Sequence, residues 1–227
     1  MSGLVIAIDG PAGTGKSTVA REVARRLGLA YLDTGATYRA GTVACMREGV
    51  DLDNHADVAA MLATMNVELR LDPVNPRVEL DGEDISRMIR MDTVSLLVSR
   101  VATNLEARAV LREWQQAIVA LEVEGGFSAG RGIVLEGRDV TTVIAPDAPV
   151  RVLMTARDDV RVARRAGEGA DAGTVREAVL GRDAKDSTVV NFTEAVDGVH
   201  TLDTSDMTID DAVQAVLSLA EAARSQQ

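Results

Sequence analysis

A glycine-rich loop near the amino terminus restricts the folds open to this chain. Before the loop, residues 4–8 form a continuous apolar run, which is typical of a strand covered on both faces of a parallel sheet. After it, residues 16–27 repeat apolar side chains at helical spacing, and Gly28 is suited to end a helix. The loop itself, residues 10–17, fits the pattern G-x-x-x-x-G-K-[ST]. This order of strand, loop and helix predicts an α/β fold.

The same loop suits an anionic ligand. Its glycines allow consecutive N–H groups and the positive end of the helix to surround phosphate oxygens. A lysine at position 16 would reach the β- and γ-phosphates, and the hydroxyl of Ser17 would bind Mg²⁺. The segment predicts nucleotide binding, with a glycine-rich turn that only caps the helix as the alternative. The candidate ATP-binding residues are Gly10, Pro11, Ala12, Gly13, Thr14, Gly15, Lys16, Ser17 and Thr18.

The charge balance argues against an extended polyanion as a partner. The chain has 24 Lys+Arg and 35 Asp+Glu, a net charge of −11, so it repels nucleic acids and anionic membrane surfaces. Aromatic residues make up 2% of the chain, too few for a platform that stacks bases. An anionic ligand must therefore meet a local cluster of cations. The chain has two lysines, Lys16 and Lys185, and we expect Lys185 to be a solvated surface residue.

The rest of the chain alternates strand and helix patterns. Two stretches, residues 67–71 and 77–80, alternate apolar with polar residues and predict a small antiparallel excursion from the main sheet. Helical periodicity runs from about 92 to 121, and a Gly/Ala/Asp stretch at 167–173 is typical of a mobile segment. The further strands predicted for the main sheet are 29–32, 133–136, 150–154 and 200–203.

Cysteine and histidine offer no metal cluster. Cys45 is the one cysteine, and His55 and His200 stand apart in the sequence, so an intrachain disulfide is impossible. We expect Cys45 to be a small core residue. The first residues lack the basic region and long apolar run of a signal peptide or membrane span. The sequence predicts a cytoplasmic protein with no membrane or nucleic-acid partner.

Arginines follow several of the predicted strands. A GTPase would need Asn-Lys-x-Asp to read guanine, and neither lysine of the chain stands in that tetrapeptide. The carboxyl ends of parallel strands face the ligand crevice of an open α/β sheet, so residues that follow different strands can converge there. An acidic protein would then hold a basic cleft. The arginines in these positions are Arg39, Arg138, Arg161, Arg164 and Arg165.

Further motifs accompany the glycine-rich loop. They are residues 32–39, 82–85, 136–139 and 146–150, the pair Ser99 and Arg108, and Arg182-Asp183 with Asp186. With them the chain resembles, over nearly its full length, the bacterial cytidylate kinases, which phosphorylate CMP and dCMP with ATP. The resemblance implies a P-loop kinase core, a five-stranded parallel sheet of order 2-3-1-4-5 with helices on both faces.

The resemblance also implies how the single domain, 1–227, is divided. The core would comprise 1–33, 100–156 and 187–227. An insert at 34–99, which carries the small antiparallel sheet, would bind the nucleoside monophosphate. A short lid region would occupy 157–186. We expect a monomer with small-molecule substrates.

Roles at the acceptor follow from the same resemblance. Arg39 and Arg138 would grip the acceptor phosphate, because a bidentate guanidinium matches phosphate geometry better than an ammonium does. Ser99, Arg108 and Asp139 would read the cytosine ring. A carboxylate accepts from the cytosine amino group, while serine and arginine donate to the ring nitrogen and carbonyl, a pattern that uracil fits poorly.

The remaining site residues are also assigned by resemblance. Asp186 would hold the ribose hydroxyls, and Arg182 would approach the transferring phosphoryl group and the CMP. Thr34 and Tyr38 would line the CMP site, with a packing role as the alternative for Tyr38. The predicted catalytic residues are Lys16, Arg138, Arg164 and Arg182, and Arg161 and Arg165 would face the ATP phosphates.

Several positions depart from the family pattern, and among them Asn191-Phe192-Thr193 stands where the family usually has a Pro-Leu pair. Val189 stands where the family usually has an arginine, and a lost charge-assisted contact of about 1.5–3 kcal/mol predicts at least tenfold weaker acceptor binding. Thr141 replaces a glycine, and Glu136 replaces an aspartate while keeping its charge. The sequence therefore predicts in-line transfer of the γ-phosphoryl group of MgATP to CMP. The alternatives are another P-loop small-molecule kinase, for adenylate, uridylate or shikimate, and a catalytically weakened nucleotide-binding protein.

Overall fold

A computed structural model describes residues 3–166, 176, 180–181 and 183–225. Arg182 and the Gly/Ala/Asp stretch at 167–173 lie outside the described residues. The strands are β1 (Leu4–Asp9), β2 (Ala30–Asp33), β3 (Val67–Arg70), β4 (Arg77–Leu80), β5 (Glu83–Asp84), β6 (Gly132–Gly137), β7 (Val150–Thr155) and β8 (His200–Asp203). The helices are α1 (Lys16–Leu27), α2 (Thr34–Glu48), α3 (His55–Thr64), α4 (Asp92–Ala102), α5 (Leu105–Glu124), α6 (Asp158–Ala166) and α7 (Ile209–Arg224).

Five strands form the main sheet in the order β2-β6-β1-β7-β8. Every neighbouring pair is parallel, with β1 in the centre between β6 and β7. Numbered along the chain, these five strands have the order 2-3-1-4-5, so the predicted order is confirmed. In such a sheet the strand ends meet at one edge, which brings the loops after β1, β6 and β7 together.

The core has one layer on each face of the sheet. Leu4, Ile6 and Ile8 of β1 pack on one side with α1 and α7, while Val5 and Ala7 pack on the other with α5. A strand covered on both faces has no solvent side, which is why the run at 4–8 is continuously apolar. No helix in the described part of the chain is both long and apolar enough to cross a membrane.

The small antiparallel sheet has one more strand than the sequence predicts. β3 and β4 pair antiparallel as expected, and β5 adds to the other edge of β4. Both residues of β5 are exposed, so this strand has no apolar alternation for a sequence pattern to detect.

The continuous helical periodicity at 92–121 is divided in the structure into α4 and α5. Asn104, fully buried, ends the first segment and caps the second, because its side-chain oxygen accepts from the N–H groups of Glu106 and Ala107. The predicted helical periodicity is confirmed, but it does not indicate the break, since apolar spacing continues across it. The break places Arg108 near the start of α5, where its guanidinium forms an ion pair with Asp139 after β6.

Candidate active site

The glycines of the loop between β1 and α1 are fixed by close backbone contacts. Gly10 has φ +146°, and a Cβ there would lie 2.1 Å from the carbonyl oxygen of Met154 on β7. Gly13 has φ +82°, and its Cβ would lie 2.7 Å from the carbonyl oxygen of Arg161 on α6. Larger residues would push the loop away from β7 and α6, so glycine keeps the loop folded against them.

The functional groups of Lys16 and Ser17 lie at the base of this loop. Lys16 donates from Nζ to the carbonyl oxygen of Pro11, at 3.0 Å. Ser17 donates from Oγ to Oε1 of Glu136 at the end of β6, at 2.6 Å. Burial raises the pKa of the Glu136 carboxyl, as does nearby Asp33, while the charge of Lys16 opposes that rise. The serine predicted to bind a metal is therefore held by a buried carboxylate.

This pair of oxygen groups fits a hard divalent cation. Hydroxyl and carboxylate oxygens suit such an ion, which commonly keeps several waters and substrate phosphates as its other ligands. Within the described ranges, no three His, Cys, Asp or Glu side chains are grouped so that they could hold a metal by themselves. The donor set therefore fits an ion that shares its coordination with a bound nucleotide.

Arg138 lies at the centre of the crevice, directly after β6. Its Nη1 donates to Oδ1 of Asp183 at 2.6 Å, and its Nε lies 3.1 Å from Oδ2 of Asp186. Its guanidinium also lies over the ring of Phe192. Burial lowers the pKa of Arg138, and the charges of Asp186, Glu136 and Asp9 oppose that shift. The side chain is 15% exposed, and its contacts with Asp183, Asp186 and Phe192 fix the direction of the guanidinium.

Asp183 joins the acceptor side of the crevice to the glycine loop. Its Oδ1 accepts from Arg138 and also from the N–H of Ala12, the latter at 3.3 Å. Its Oδ2 accepts from Nη2 of Arg161. Arg161 is itself bound to the loop, since its Nε donates to the carbonyl oxygen of Ala12 at 2.8 Å. Donors from the turn after β6, from the glycine loop and from α6 therefore meet at the one carboxylate of Asp183.

A second group of predicted residues lies beside Arg138. Ser99 on α4 donates to Oδ1 of Asp186 at 3.3 Å, so Asp186 connects α4 with Arg138. Arg108 on α5 forms an ion pair with Asp139, and its guanidinium carbon is 5.8 Å from the ring centroid of Tyr38. Burial raises the pKa of the Asp139 carboxyl, and the charge of Arg108 opposes this.

Thr34 lies at the start of α2. It donates from Oγ1 to the carbonyl oxygen of Glu136, at 2.8 Å. This bond fixes the first turn of α2 to the end of β6, where the candidate acceptor residues begin. Of the predicted CMP-binding residues, the structure thus brings together Thr34, Tyr38, Ser99, Arg108, Arg138, Asp139 and Asp186.

The other predicted arginines occupy different surroundings. Arg39 donates from Nη1 to the carbonyl oxygen of Ile89, at 3.1 Å, and to Oγ of Ser95, at 3.0 Å, both in the predicted insert. Arg164 donates to the carbonyl oxygens of Thr14 and Thr204, so it ties the glycine loop to the chain after β8. Arg165 is exposed on the same helix. Their roles toward ATP and CMP stay predictions, as does that of Arg182.

Asp9 fixes the turn that carries Arg138 and Asp139. Its carboxylate accepts from the N–H groups of Val140 and Thr141 at 2.9 and 2.8 Å, and from the hydroxyl of Thr141 at 2.6 Å. Burial raises the pKa of Asp9, and these three bonds lower it. The end of β1 therefore holds the chain after β6, and Thr141 adds a bond that a glycine would lack.

The sequence assigned no role to Asp9, Asp183 or Phe192. Asp183 belongs to a quoted motif and Asp9 directly precedes the glycine loop, so their positions next to predicted site residues were available as a signal. Phe192 was visible as a departure from the family pattern. What each side chain touches depends on segments far apart in the chain.

Comparisons with known proteins point to one family. The sequence profile of the cytidylate kinase family matches residues 6–222. The cytidylate kinase of Streptomyces avermitilis is 40% identical over 225 residues, covering 97% of this chain and 94% of the relative. That of Cutibacterium acnes is 42% identical over 224 residues, 96% of each chain. A solved structure of an uncharacterized protein from Eubacterium ventriosum aligns with a TM-score of 0.50, at 13% identity, over 96% of this chain and 99% of its own, a likeness of fold alone.

Proposed function

Because the chain belongs to the cytidylate kinase family, we propose that it transfers the γ-phosphoryl group of ATP to CMP or dCMP, giving ADP and CDP or dCDP. One observation carries the proposal: the Asp183 carboxylate contacts both the N–H of Ala12 in the glycine loop and the guanidinium of Arg138. A single carboxylate thus bridges the loop for the donor phosphates and the arginine for the acceptor phosphate.

The base side of the crevice supports cytosine as the acceptor base. Asp139 offers carboxylate oxygens to the exocyclic amino group of cytosine. Arg108 is positioned against that carboxylate and against Tyr38, and Ser99 offers a hydroxyl on the neighbouring helix. Uracil has a carbonyl where cytosine has its amino group, so it would face the carboxylate with a repelling oxygen.

Transfer would depend on position and charge. The CMP phosphate is ionised at neutral pH, so its oxygen attacks the γ-phosphorus without a general base, and the bond from that phosphorus to the β-phosphate oxygen breaks. Lys16 and the backbone N–H groups of the loop bind the ATP phosphates, while Arg138 orients the acceptor. Arg161 faces the junction between the two, and we assign Arg164, Arg165 and Arg182 to the donor and transferring phosphates on the family resemblance.

Ser17 is the residue that would hold Mg²⁺, with Glu136 orienting its hydroxyl. When bound, the ion would neutralise charge on the donor phosphates. We further propose that residues 34–99 act as the CMP-binding insert, residues 157–186 as the lid, and the rest as the core. The cytoplasm as location and the monomer as assembly stay predictions.

A panel of acceptors tests the proposed function directly. ADP formation is measured with saturating MgATP and CMP, dCMP, UMP or AMP as the acceptor. We expect CMP and dCMP to be used with the highest kcat/KM. A preference for AMP or UMP would indicate another monophosphate kinase, and nucleotide binding without ADP formation would indicate a weakened enzyme.

A further inference from the structure

The groups that surround the Asp183 carboxylate resemble those that surround a bound phosphate. Two guanidinium groups, from Arg138 and Arg161, and one N–H of the glycine loop, from Ala12, donate to its two oxygens. The side chain of Asp183 is 13% exposed, so few water molecules can reach its oxygens and take the place of these donors. Guanidinium groups and loop N–H groups are the donors that proteins use for phosphate oxygens.

The two arginines are also supported without Asp183. Arg138 is held by Asp186, at 3.1 Å, and lies over the ring of Phe192. Arg161 is held by Asp158, at 2.8 Å, and by the carbonyl oxygen of Ala12. Asp183 therefore contacts both arginines, but each arginine has other contacts that hold it in place.

A phosphate and this carboxylate compete for the same donors. Both are anions, and a phosphoryl group that accepts from Ala12, Arg138 or Arg161 would lie within contact distance of the Asp183 oxygens and be repelled by them. A phosphate brings more charge and a third oxygen, so it can displace the carboxylate. The carboxylate must leave these donors before they can serve a substrate.

We propose that Asp183 is an internal competitor of the substrate phosphates, which holds the phosphate-binding arginines when no nucleotide is bound and is displaced when nucleotide enters. This inference rests on the proposed function for its biological meaning, although its physical content concerns phosphate binding alone. This competition favours the acceptor nucleotide over water. ATP must displace Asp183 from its donors, and all of these donors become available only when both substrates contribute phosphates. Water, which has no phosphate, gains no such help as an acceptor.

Binding measurements on the full chain test this directly. Asp183→Asn keeps the shape of the side chain and removes its charge. Asp158→Asn is the matched control, since it also removes one negative charge beside Arg161, but Asp158 is 58% exposed and contacts neither Ala12 nor Arg138 among the bonds described. The probes are MgATP without acceptor and inorganic tripolyphosphate, both followed by calorimetry.

We expect Asp183→Asn to bind both probes about tenfold more tightly than the wild type. Asp158→Asn, which loses a support of Arg161, should bind them no more tightly than the wild type. ADP formation without CMP, in which water attacks the γ-phosphorus to give ADP and inorganic phosphate, should rise in Asp183→Asn. Equal or weaker binding of tripolyphosphate by Asp183→Asn than by the wild type would overturn the proposal, because Asp183 would then be a permanent support of the arginines.

Two further measurements cover the cases in which the variant unfolds or the proposed function is wrong. If Asp183→Asn unfolds, Asp183→Ser removes the anion with a smaller side chain and is measured in the same way. CMP-dependent ADP formation by the wild type reports on the proposed function separately. A wild type without that activity but with tighter tripolyphosphate binding in Asp183→Asn would refute the proposed function and leave the competitor in place.

Discussion

The guanidinium of Arg138 lies over the ring of Phe192, with 4.4 Å between the guanidinium carbon and the ring centroid. Phe192 is 1% exposed, so the ring is fixed by its surroundings. A cation held against an aromatic face away from water is stabilised by up to about 2 kcal/mol. The ring therefore limits the directions in which Arg138 can point, close to the segment where Val189 replaces the expected arginine.

Replacing Phe192 tests whether this contact positions the arginine. We expect Phe192→Leu to raise the KM for CMP by about two- to thirtyfold, the equivalent of about 0.5–2 kcal/mol, with a smaller change in the KM for ATP. Steady-state kinetics with each substrate varied in turn measures both constants. Phe127→Leu makes the same replacement at an exposed phenylalanine and should change neither. Equal changes in both KM values would argue for general loosening of the fold.

Lys16 is expected to be needed for turnover and not for folding. Lys16→Met should lower kcat by about 10²–10³-fold, because charge on the transferring phosphoryl group loses a preorganised partner. Thermal unfolding should stay close to that of the wild type. Lys185→Met is the matched control, since Lys185 is exposed. A rate unchanged in Lys16→Met would contradict the assignment of the loop.

Asp139 is expected to distinguish cytosine from uracil. In Asp139→Asn the amide can donate to the uracil carbonyl, so the ratio of kcat/KM for CMP to that for UMP should fall about ten- to hundredfold. The acceptor panel, repeated with this variant, gives the ratio. Asp147→Asn, a change at an exposed aspartate, should leave the ratio unaltered. If both acceptors lose activity by the same factor, Asp139 supports Arg108 without reading the base.

The hydroxyl of Thr141 is expected to stabilise the charged form of Asp9. Thr141→Val should lower the free energy of unfolding at neutral pH by about 1.5–3 kcal/mol, since a buried carboxylate loses a donor at 2.6 Å. Urea denaturation measures this difference, and Thr141→Ser should restore most of it.

The pH dependence of that difference has a definite sign. Burial places the pKa of Asp9 above its ordinary value in the folded protein. On acidification the folded state therefore takes up the proton first, and the penalty for burying the charge disappears as the pH falls through this raised pKa. Loss of the hydroxyl raises the pKa further, so the gap between Thr141→Val and wild type should narrow toward acid pH. A gap that widens would show that the hydroxyl acts on some other group.

The sequence by itself determined the glycine loop and the strand before it, and its motifs identified the family, whose fold implied the sheet order. The loop and the strand depend on local information: a strand covered on both faces is continuously apolar, and the loop needs glycine where the backbone approaches β7 and α6. The sequence pattern did not predict the break at Asn104, because apolar spacing continues across it. It did not predict β5, because both residues of that strand are exposed.

Only the tertiary structure decided what the site residues touch. Ala12 and Asp183 are 171 positions apart, and their contact arises because β1, β6 and β7 end at one edge of the sheet. No spacing in the chain records that the Asp183 carboxylate meets Arg138, Arg161 and the N–H of Ala12, or that Phe192 lies beneath Arg138. Contacts between distant segments depend on the path of the whole backbone, so folding alone brings these charged residues together into one candidate site.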